Sequence, residues 1–131
     1  MFPAGPPAAV TLYTIAPEKM LGWTRAPSRE ARPFLPARYA EIPEIGRLTG
    51  RGNTVNLESV VRLTPDLVLD VGDTTATYVS LADRVQEQTG VPAVLIGGRL
   101  IATPTTLRTV GAVVGASERA EALARYAEAV L

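Results

Sequence analysis

The chain has 131 residues, of which 47% are hydrophobic, and its 13 basic and 13 acidic residues give a net charge of zero. This length suits one domain with a hydrophobic core, and the absence of a basic block argues against a nucleic-acid partner. The absence of Cys and His removes thiol and imidazole catalysis and the commonest transition-metal ligands, and no stretch reaches the roughly 18 apolar residues of a membrane span.

The first part of the chain is interrupted by prolines and contains one stretch of ambiguous pattern. Phe2 is typical of the end of a strand. The stretch Pro6–Ile15 fits two structures equally well, because its β-branched and aromatic residues favour a strand whereas its opening Pro pair and one apolar face favour a helix. The short apolar run Met20–Trp23 predicts a strand. Four prolines in Thr24–Ile45 predict a loop, with one helical turn at Pro36–Ala40.

The segment Asn56–Asp70, which reads NLESVVRLTPDLVLD, predicts a short helix, a break and a buried strand. Asn56 is suited to cap the helix with its side-chain oxygen, and Pro65 cannot continue it. The residues Leu67–Leu69 are apolar without alternation, as expected for a strand that is covered on both faces. Turn-forming residues follow, so we expect the strand to end at Asp70.

The second half of the chain alternates between helical and strand patterns. Gly90 and Gly115 are placed where a helix C-terminus favours glycine, and Pro104 suits the first helical position after a Thr103 cap. The last helix shows no C-cap, so we expect it to continue beyond the given sequence. The predicted elements are a helix over Thr74–Thr89, a strand over Ala93–Ile96, a helix from Pro104 to Gly115, and an amphipathic helix over Ser117–Leu131.

Alternation of this kind predicts an α/β fold: a three-layer α/β/α lobe with a short, mostly parallel, Rossmann-like sheet. In such sheets ligands bind at the carboxyl ends of the strands. The loops that lie there in this chain are Pro3–Pro7, Trp23–Ser28, Val71–Thr75 and Gly97–Ile101.

Five stretches of this chain, in one order, resemble segments of a known family. NLESVVRLTPDLVLD resembles the signature N-x-E-x-(I/V)-x-x-L-x-P-D-L-V of the periplasmic binding proteins that deliver iron–siderophore complexes, haem or cobalamin to ABC importers. The other four stretches that are similar to family segments are APEKMLGW, IPEIGRLTGRGN, TGVPAVLIGG and TLRTVGAVVGASERAEALARYAEAVL.

This resemblance implies that residues 1–131 form only the N-terminal lobe of such a protein, with Ser117–Leu131 as the start of the helix that joins two lobes and with the C-terminal lobe absent. It also favours the helix for Pro6–Ile15. It implies a periplasmic solute-binding protein without enzymatic activity or an intrinsic cofactor, although no signal peptide is visible in the sequence. The implied partners are an ABC permease in the inner membrane, a small-molecule metal chelate and a second copy of the chain, bound through the exposed interlobe surface.

The candidate ligand-binding residues lie on the loops at the strand ends and on the Gly/Arg loop Gly46–Asn53. Arginine side chains suit the carboxylates or the iron-bound oxygens of a chelate, an indole can stack on a porphyrin or corrin, and a helix N-terminus favours an anion. Each candidate also has a simpler interpretation: the arginines as solvated side chains, Trp23 as a core aromatic, Gly5 and Pro6 as a tight turn, and Asp73–Thr75 as a helix cap. The candidates are Gly5, Pro6, Trp23, Arg47, Arg51, Asp73, Thr74, Thr75 and Arg99.

The alternative function is a fragment of a doubly wound nucleotide-binding or enzyme domain. The chain lacks both G-x-G-x-x-G and G-x-x-x-x-G-K-[ST], the glycine-rich motifs that hold phosphates in such domains. Its Gly-rich stretch GRLTGRGN follows a long loop and does not stand between a strand and its helix. The sequence therefore favours binding and delivery over catalysis.

Overall fold

The fold is given by a computed structural model, which describes residues 1–49 and 57–131. The predicted cap Asn56 and the candidate Arg51 therefore lie outside the described residues. Three strands form one sheet in the order β1-β2-β3, with all neighbours parallel. The strands are β1 (Phe2–Pro3), β2 (Val68–Gly72) and β3 (Ala93–Gly97).

Helices cover both faces of this sheet, as the alternating pattern predicted. The helices are α1 (Pro6–Ile15), α2 (Ala37–Ala40), α3 (Leu57–Leu63), α4 (Ala76–Thr89), α5 (Thr103–Val114) and α6 (Ser117–Val130). Helices α1 and α5 pack on one face, with α6 against α5, while α3 and α4 lie on the other face. The predicted three-layer α/β lobe is thus confirmed. Among the described residues, no helix is both long and apolar enough to span a membrane.

Two hydrophobic clusters fill the layers, one on each face of the sheet. Leu69 and Val71 of β2 point into the first cluster, together with Leu12 of α1 and Val110 of α5. The neighbouring strand residue Val68 points into the second cluster, together with residues such as Phe2, Leu48, Val60 and Val85. Because side chains alternate across a strand, the apolar run in β2 supplies both clusters.

The stretch Pro6–Ile15, which local pattern left undecided, is a helix. Prolines occupy its first turn, where their missing N–H groups cost no helical hydrogen bond. Its face Ala8, Ala9, Leu12 and Ile15 is buried against the sheet. The burial of one helical face therefore outweighs the strand propensity of its β-branched residues.

The strand predicted over Met20–Trp23 is wrong. Trp23 forms only an isolated parallel bridge with Glu44, through hydrogen bonds from the Trp23 N–H to the Pro43 carbonyl and from the Ile45 N–H to the Trp23 carbonyl, both 2.8 Å. Pro43 has no N–H to donate to the Leu21 carbonyl, so the ladder cannot extend towards Leu21. The close approach requires Gly22, since a Cβ there would lie 2.4 Å from the Pro43 carbonyl oxygen.

Several element ends differ from the predicted ones by a few residues. Strand β2 continues past Asp70 to Gly72, because Asp70 pairs with Leu95 of β3. Thr103, the predicted cap of α5, is the first residue of that helix, and its hydroxyl donates to the Leu100 carbonyl and caps no N–H group. Gly90 and Gly115 do end their helices in the left-handed conformation, with φ of 70° and 74°. The Lys19 ammonium group donates to the carbonyl of Val114 and so satisfies the C-terminus of α5.

Candidate ligand-binding grooves

The carboxyl ends of the three strands meet at one edge of the sheet, where the N-termini of α1, α4 and α5 also lie. Three adjoining depressions open there and share Pro6 as a lining residue. We call them the Trp23 groove, the Gly72 groove and the Asp70 groove, with volumes of about 610, 500 and 150 Å³. The first two have the size of small-molecule sites.

The Trp23 groove has an apolar floor and two cationic side chains. Its floor is formed by Pro6, Ala9 and Val10 of α1 together with Trp23, and Arg25 and Arg47 also line it. Val10 is 62% exposed although it is apolar. An apolar floor beside guanidinium groups suits a ligand with an apolar body and acidic substituents.

Trp23 is held in place from two sides. Its indole Nε1 donates to the carbonyl of Tyr39 at 2.8 Å, and its ring lies 5.3 Å from the ring of Tyr13. Tyr13 in turn makes an edge contact with Tyr39 at 6.0 Å. The indole is thus buried, with 8% of its surface exposed, and it lines the groove as a fixed wall.

The N-terminus of α1 is a poor anion site in spite of its position. Pro6 and Pro7 have no N–H groups, so the first turn lacks two of its usual free donors. The space beside Gly5 is filled by Thr49, whose Oγ1 lies 2.5 Å from the position of a Cβ on Gly5. This corner therefore offers a ligand mainly apolar contact through the exposed ring of Pro6.

The candidates Asp73, Thr74 and Thr75 lie exposed at the start of α4. The Asp73 carboxylate accepts a hydrogen bond from the Thr75 N–H at 2.8 Å. This bond satisfies one of the free donors of the helix, and it places a negative charge where a bound anion would otherwise be favoured. The contact is an Asx turn that leads into α4, and the N-cap residue Thr75 itself makes no side-chain capping hydrogen bond.

The candidate arginines are spread along the edge of the sheet. Arg47 lies in the Trp23 groove, whereas Arg99 is exposed just after Gly98 at the end of β3. Among the described candidates, the structure brings Pro6, Trp23 and Arg47 together around one groove.

Asp70 is not among the candidates from the sequence, because its residue type predicted a turn that ends β2. Asp70 lies inside the strand and lines the Asp70 groove with Asp73, Tyr78 and Thr49. Partial burial raises the pKa of its carboxyl group, while hydrogen bonds to the Val71 backbone and the Thr49 hydroxyl act in the opposite direction. An acidic residue within an otherwise apolar strand was the available signal. Among the described residues, no group of three or more acidic side chains could hold a metal ion.

The fold of this lobe is that of part of an ABC-transporter solute-binding protein. Over 95% of this chain, it superposes on 39% of an ABC transporter solute binding protein from Sulfurospirillum deleyianum, with a TM-score of 0.81 and 22% sequence identity. Over 94% of this chain, it superposes on 40% of a periplasmic heme binding protein from Pseudomonas aeruginosa, with a TM-score of 0.62 and 21% identity. No protein-family model and no curated protein sequence matches significantly.

These likenesses confirm, at the level of the fold, the resemblance to solute-binding proteins that the sequence motifs predicted. The chain spans about two fifths of the length of both solved structures. The structural neighbours are named as binding proteins, not as enzymes.

Proposed function

We propose that this chain is the N-terminal lobe of the solute-binding component of an ABC importer and that it contributes one wall of a ligand cleft. The observation that carries the proposal is the Trp23 groove at the carboxyl edge of a parallel sheet, which is where α/β folds bind ligands. The fold supports the same function, because both structural neighbours are binding proteins of this kind. The protein then works in the periplasm and delivers its ligand to an inner-membrane permease.

The proposed ligand is an iron chelate, haem or cobalamin, captured without chemical change. The apolar floor of the Trp23 groove suits the flat body of a tetrapyrrole, and Arg25 and Arg47 suit acidic substituents of a haem or a siderophore. One structural neighbour is described as a heme binding protein. The described residues favour this function over a nucleotide-binding domain, because the prolines at the start of α1 cannot donate hydrogen bonds to phosphates.

The proposal is tested by titrating the chain with haem, a ferric siderophore and cobalamin, while ligand absorbance and Trp23 fluorescence are recorded. One wall buries much less of a ligand than the 70–90% typical of a closed site, so we expect weak binding, with a Kd on the order of 10–100 μM. At least one ligand should quench the emission of Trp23, which lines the groove.

The matched variants are Val10→Asp and Val130→Asp, since both valines are 62% exposed and only Val10 lines the groove. We expect Val10→Asp to weaken binding about tenfold or more, because it buries a carboxylate against the ligand, and Val130→Asp to leave binding unchanged. If no ligand binds, or if both variants bind equally, the Trp23 groove is not the site.

The carboxyl edge also supports the homodimer that the sequence suggested. Val10, Leu100 and Ile101 expose 62%, 74% and 76% of their surfaces there. The same edge carries Asp73 and Arg99, so two copies related by a two-fold axis can pair opposite charges around an apolar centre. A second copy would then cover the grooves that a single chain leaves open.

A further inference from the structure

The loop formed by residues 25–38, which we call the arginine loop, concentrates positive charge in a chain that is neutral overall. It contains four arginines and one glutamate, which give it a net charge of +3. Because the whole chain has 13 basic and 13 acidic residues, the remainder carries a charge of −3. A molecule with this asymmetry is oriented by a charged surface, with the arginine loop towards a negative one.

The four arginines of the loop are all exposed to solvent; they are Arg25, Arg29, Arg32 and Arg38. Within residues 1–49 and 57–131, none of them forms a salt bridge. The Arg32 Nε donates only a long hydrogen bond of 3.4 Å to the Pro27 carbonyl, and the Arg38 guanidinium lies 4.7 Å from the centre of the Tyr39 ring. The charges of Arg29, Arg32 and Arg38 are therefore available to an anionic partner, whereas Arg25 lines the Trp23 groove.

Phe34 projects from the same loop and is 87% exposed. The other phenylalanine of the chain, Phe2, is completely buried. Phe34 is the only large apolar side chain of the arginine loop that is exposed, since Leu35 packs against the first hydrophobic cluster. An exposed aromatic that stands between Arg32 and Arg38 in the sequence suits a partner that accepts both an apolar ring and positive charge.

The backbone holds Phe34 in this exposed position. The Ala31 and Arg32 N–H groups donate to the Ser28 carbonyl at 3.0 and 3.1 Å, and the Phe34 N–H donates to the Ala31 carbonyl at 3.0 Å. At the base of the loop, the Ala26 N–H donates to the Glu44 carboxylate at 2.8 Å. Arg29 and Arg32 both lie within five residues of Phe34 on this hydrogen-bonded loop, so one partner can contact the charges and the ring together.

We propose that the arginine loop docks on an anionic phospholipid surface, with Phe34 inserted among the headgroups and acyl chains and the arginines on lipid phosphates. A fluid bilayer accepts a single aromatic side chain without a preformed pocket, and its anionic headgroups attract clustered basic residues. A protein interface normally buries a cluster of anchors, whereas this loop presents one. The inference goes beyond the proposed function, and it needs neither a bound ligand nor a second lobe.

The test is co-sedimentation of the chain with vesicles of phosphatidylcholine alone and of phosphatidylcholine mixed with phosphatidylglycerol. We expect binding to the mixed vesicles only, weakened by added salt. The double variant Arg29→Gln with Arg32→Gln should lower the partition coefficient of the chain onto mixed vesicles roughly thirtyfold, because each charge near the surface contributes about fivefold. Phe34→Ala should lower it about tenfold or more.

The matched controls remove equivalent groups from other surfaces. Arg62→Gln with Arg84→Gln removes two exposed arginines of α3 and α4, and Tyr126→Ala removes an aromatic of α6 that is 69% exposed. Neither change should alter vesicle binding. Tryptophan fluorescence gives a second readout. In mixed vesicles with brominated acyl chains, the fluorescence of the Phe34→Trp variant should be quenched, whereas that of the unaltered chain, which comes from the buried Trp23, should not.

Three results would overturn the proposal. The first is no binding to mixed vesicles at low salt. The second is an equal loss of binding in the control variants, which would mean non-specific attraction. The third is that the chain binds poly-glutamate as tightly as it binds the vesicles and that Phe34→Ala changes neither affinity. This result would identify an acidic polypeptide as the partner.

Discussion

Gly111 of α5 and Ala120 of α6 show how a single residue controls the approach of two helices. A Cβ on Gly111 would lie 2.2 Å from the Cβ of Ala120 and 3.2 Å from the Ala116 carbonyl oxygen. The Ala116 N–H also donates to the Gly111 carbonyl at 2.8 Å. Because the close contact involves backbone as well as side-chain atoms, the helices must separate if Gly111 gains a side chain.

We therefore expect Gly111→Ala to lower the free energy of unfolding by about 1–3 kcal/mol, the usual cost of overpacking, even though alanine has the higher helix propensity. The measurement is urea unfolding followed by circular dichroism. The control is Gly97→Ala, whose Cβ would meet only Thr74 Cγ2 at 3.8 Å. An unchanged or increased stability of Gly111→Ala would show that the two helices can separate without cost.

At the scale of the element, a set of ion pairs joins α5 to α6. Arg108 Nε lies 2.7 Å from Glu121 Oε2 and Arg108 Nη1 lies 2.6 Å from Glu128 Oε1, while Arg125 Nε lies 3.0 Å from Glu121 Oε1. The hydrogen bonds from Arg108, the largest cause, and from Arg125 lower the pKa of Glu121 to about 2. The side chains of Arg108 and Glu121 are 38% and 39% exposed, so solvent and salt screen the pairs.

We expect Glu121→Gln to lower stability at neutral pH, with a difference from the parent chain that shrinks as the pH falls. The folded-state pKa lies below the ordinary value of 4.5, so the Glu121 contribution is present above pH 4.5 and is lost towards pH 2. Urea unfolding of both chains between pH 2 and 7 measures the difference, with Glu87→Gln on α4 as an exposed control. A difference that does not depend on pH would contradict the assignment to charge.

At the scale of the whole molecule, the proposed dimer places the exposed carboxyl edge of the sheet at its interface. We expect self-association that Ile101→Asp weakens at least tenfold, because the change places a charge at the apolar centre of the proposed two-fold interface. Sedimentation velocity over a range of protein concentrations measures this, and Val130→Asp on α6 is the control. A chain that stays monomeric at high concentration, or a control that dissociates equally, would exclude this dimer.

Much of the architecture followed from local chemistry in the sequence. Gly90 and Gly115 marked the ends of α4 and α5 because few other residues adopt the left-handed conformation at low cost. The apolar run that became β2 and the alternation around it predicted a parallel sheet with two covered faces. The motif in Asn56–Asp70 predicted the likeness to solute-binding proteins. These signals depend on residues that are close in the chain, so one sequence suffices to find them.

The tertiary structure decided the features that depend on residues far apart in the chain. Burial against the sheet made Pro6–Ile15 a helix, and Pro43 prevented Leu21 from joining the bridge of Trp23. Pairing with Leu95 kept Asp70 inside β2 and so placed its carboxyl group in a groove. Packing of Leu35 and the turns around Ser28 left Phe34 exposed. Local propensity differs by only about 1 kcal/mol per residue, so long-range packing and pairing determine which alternative forms.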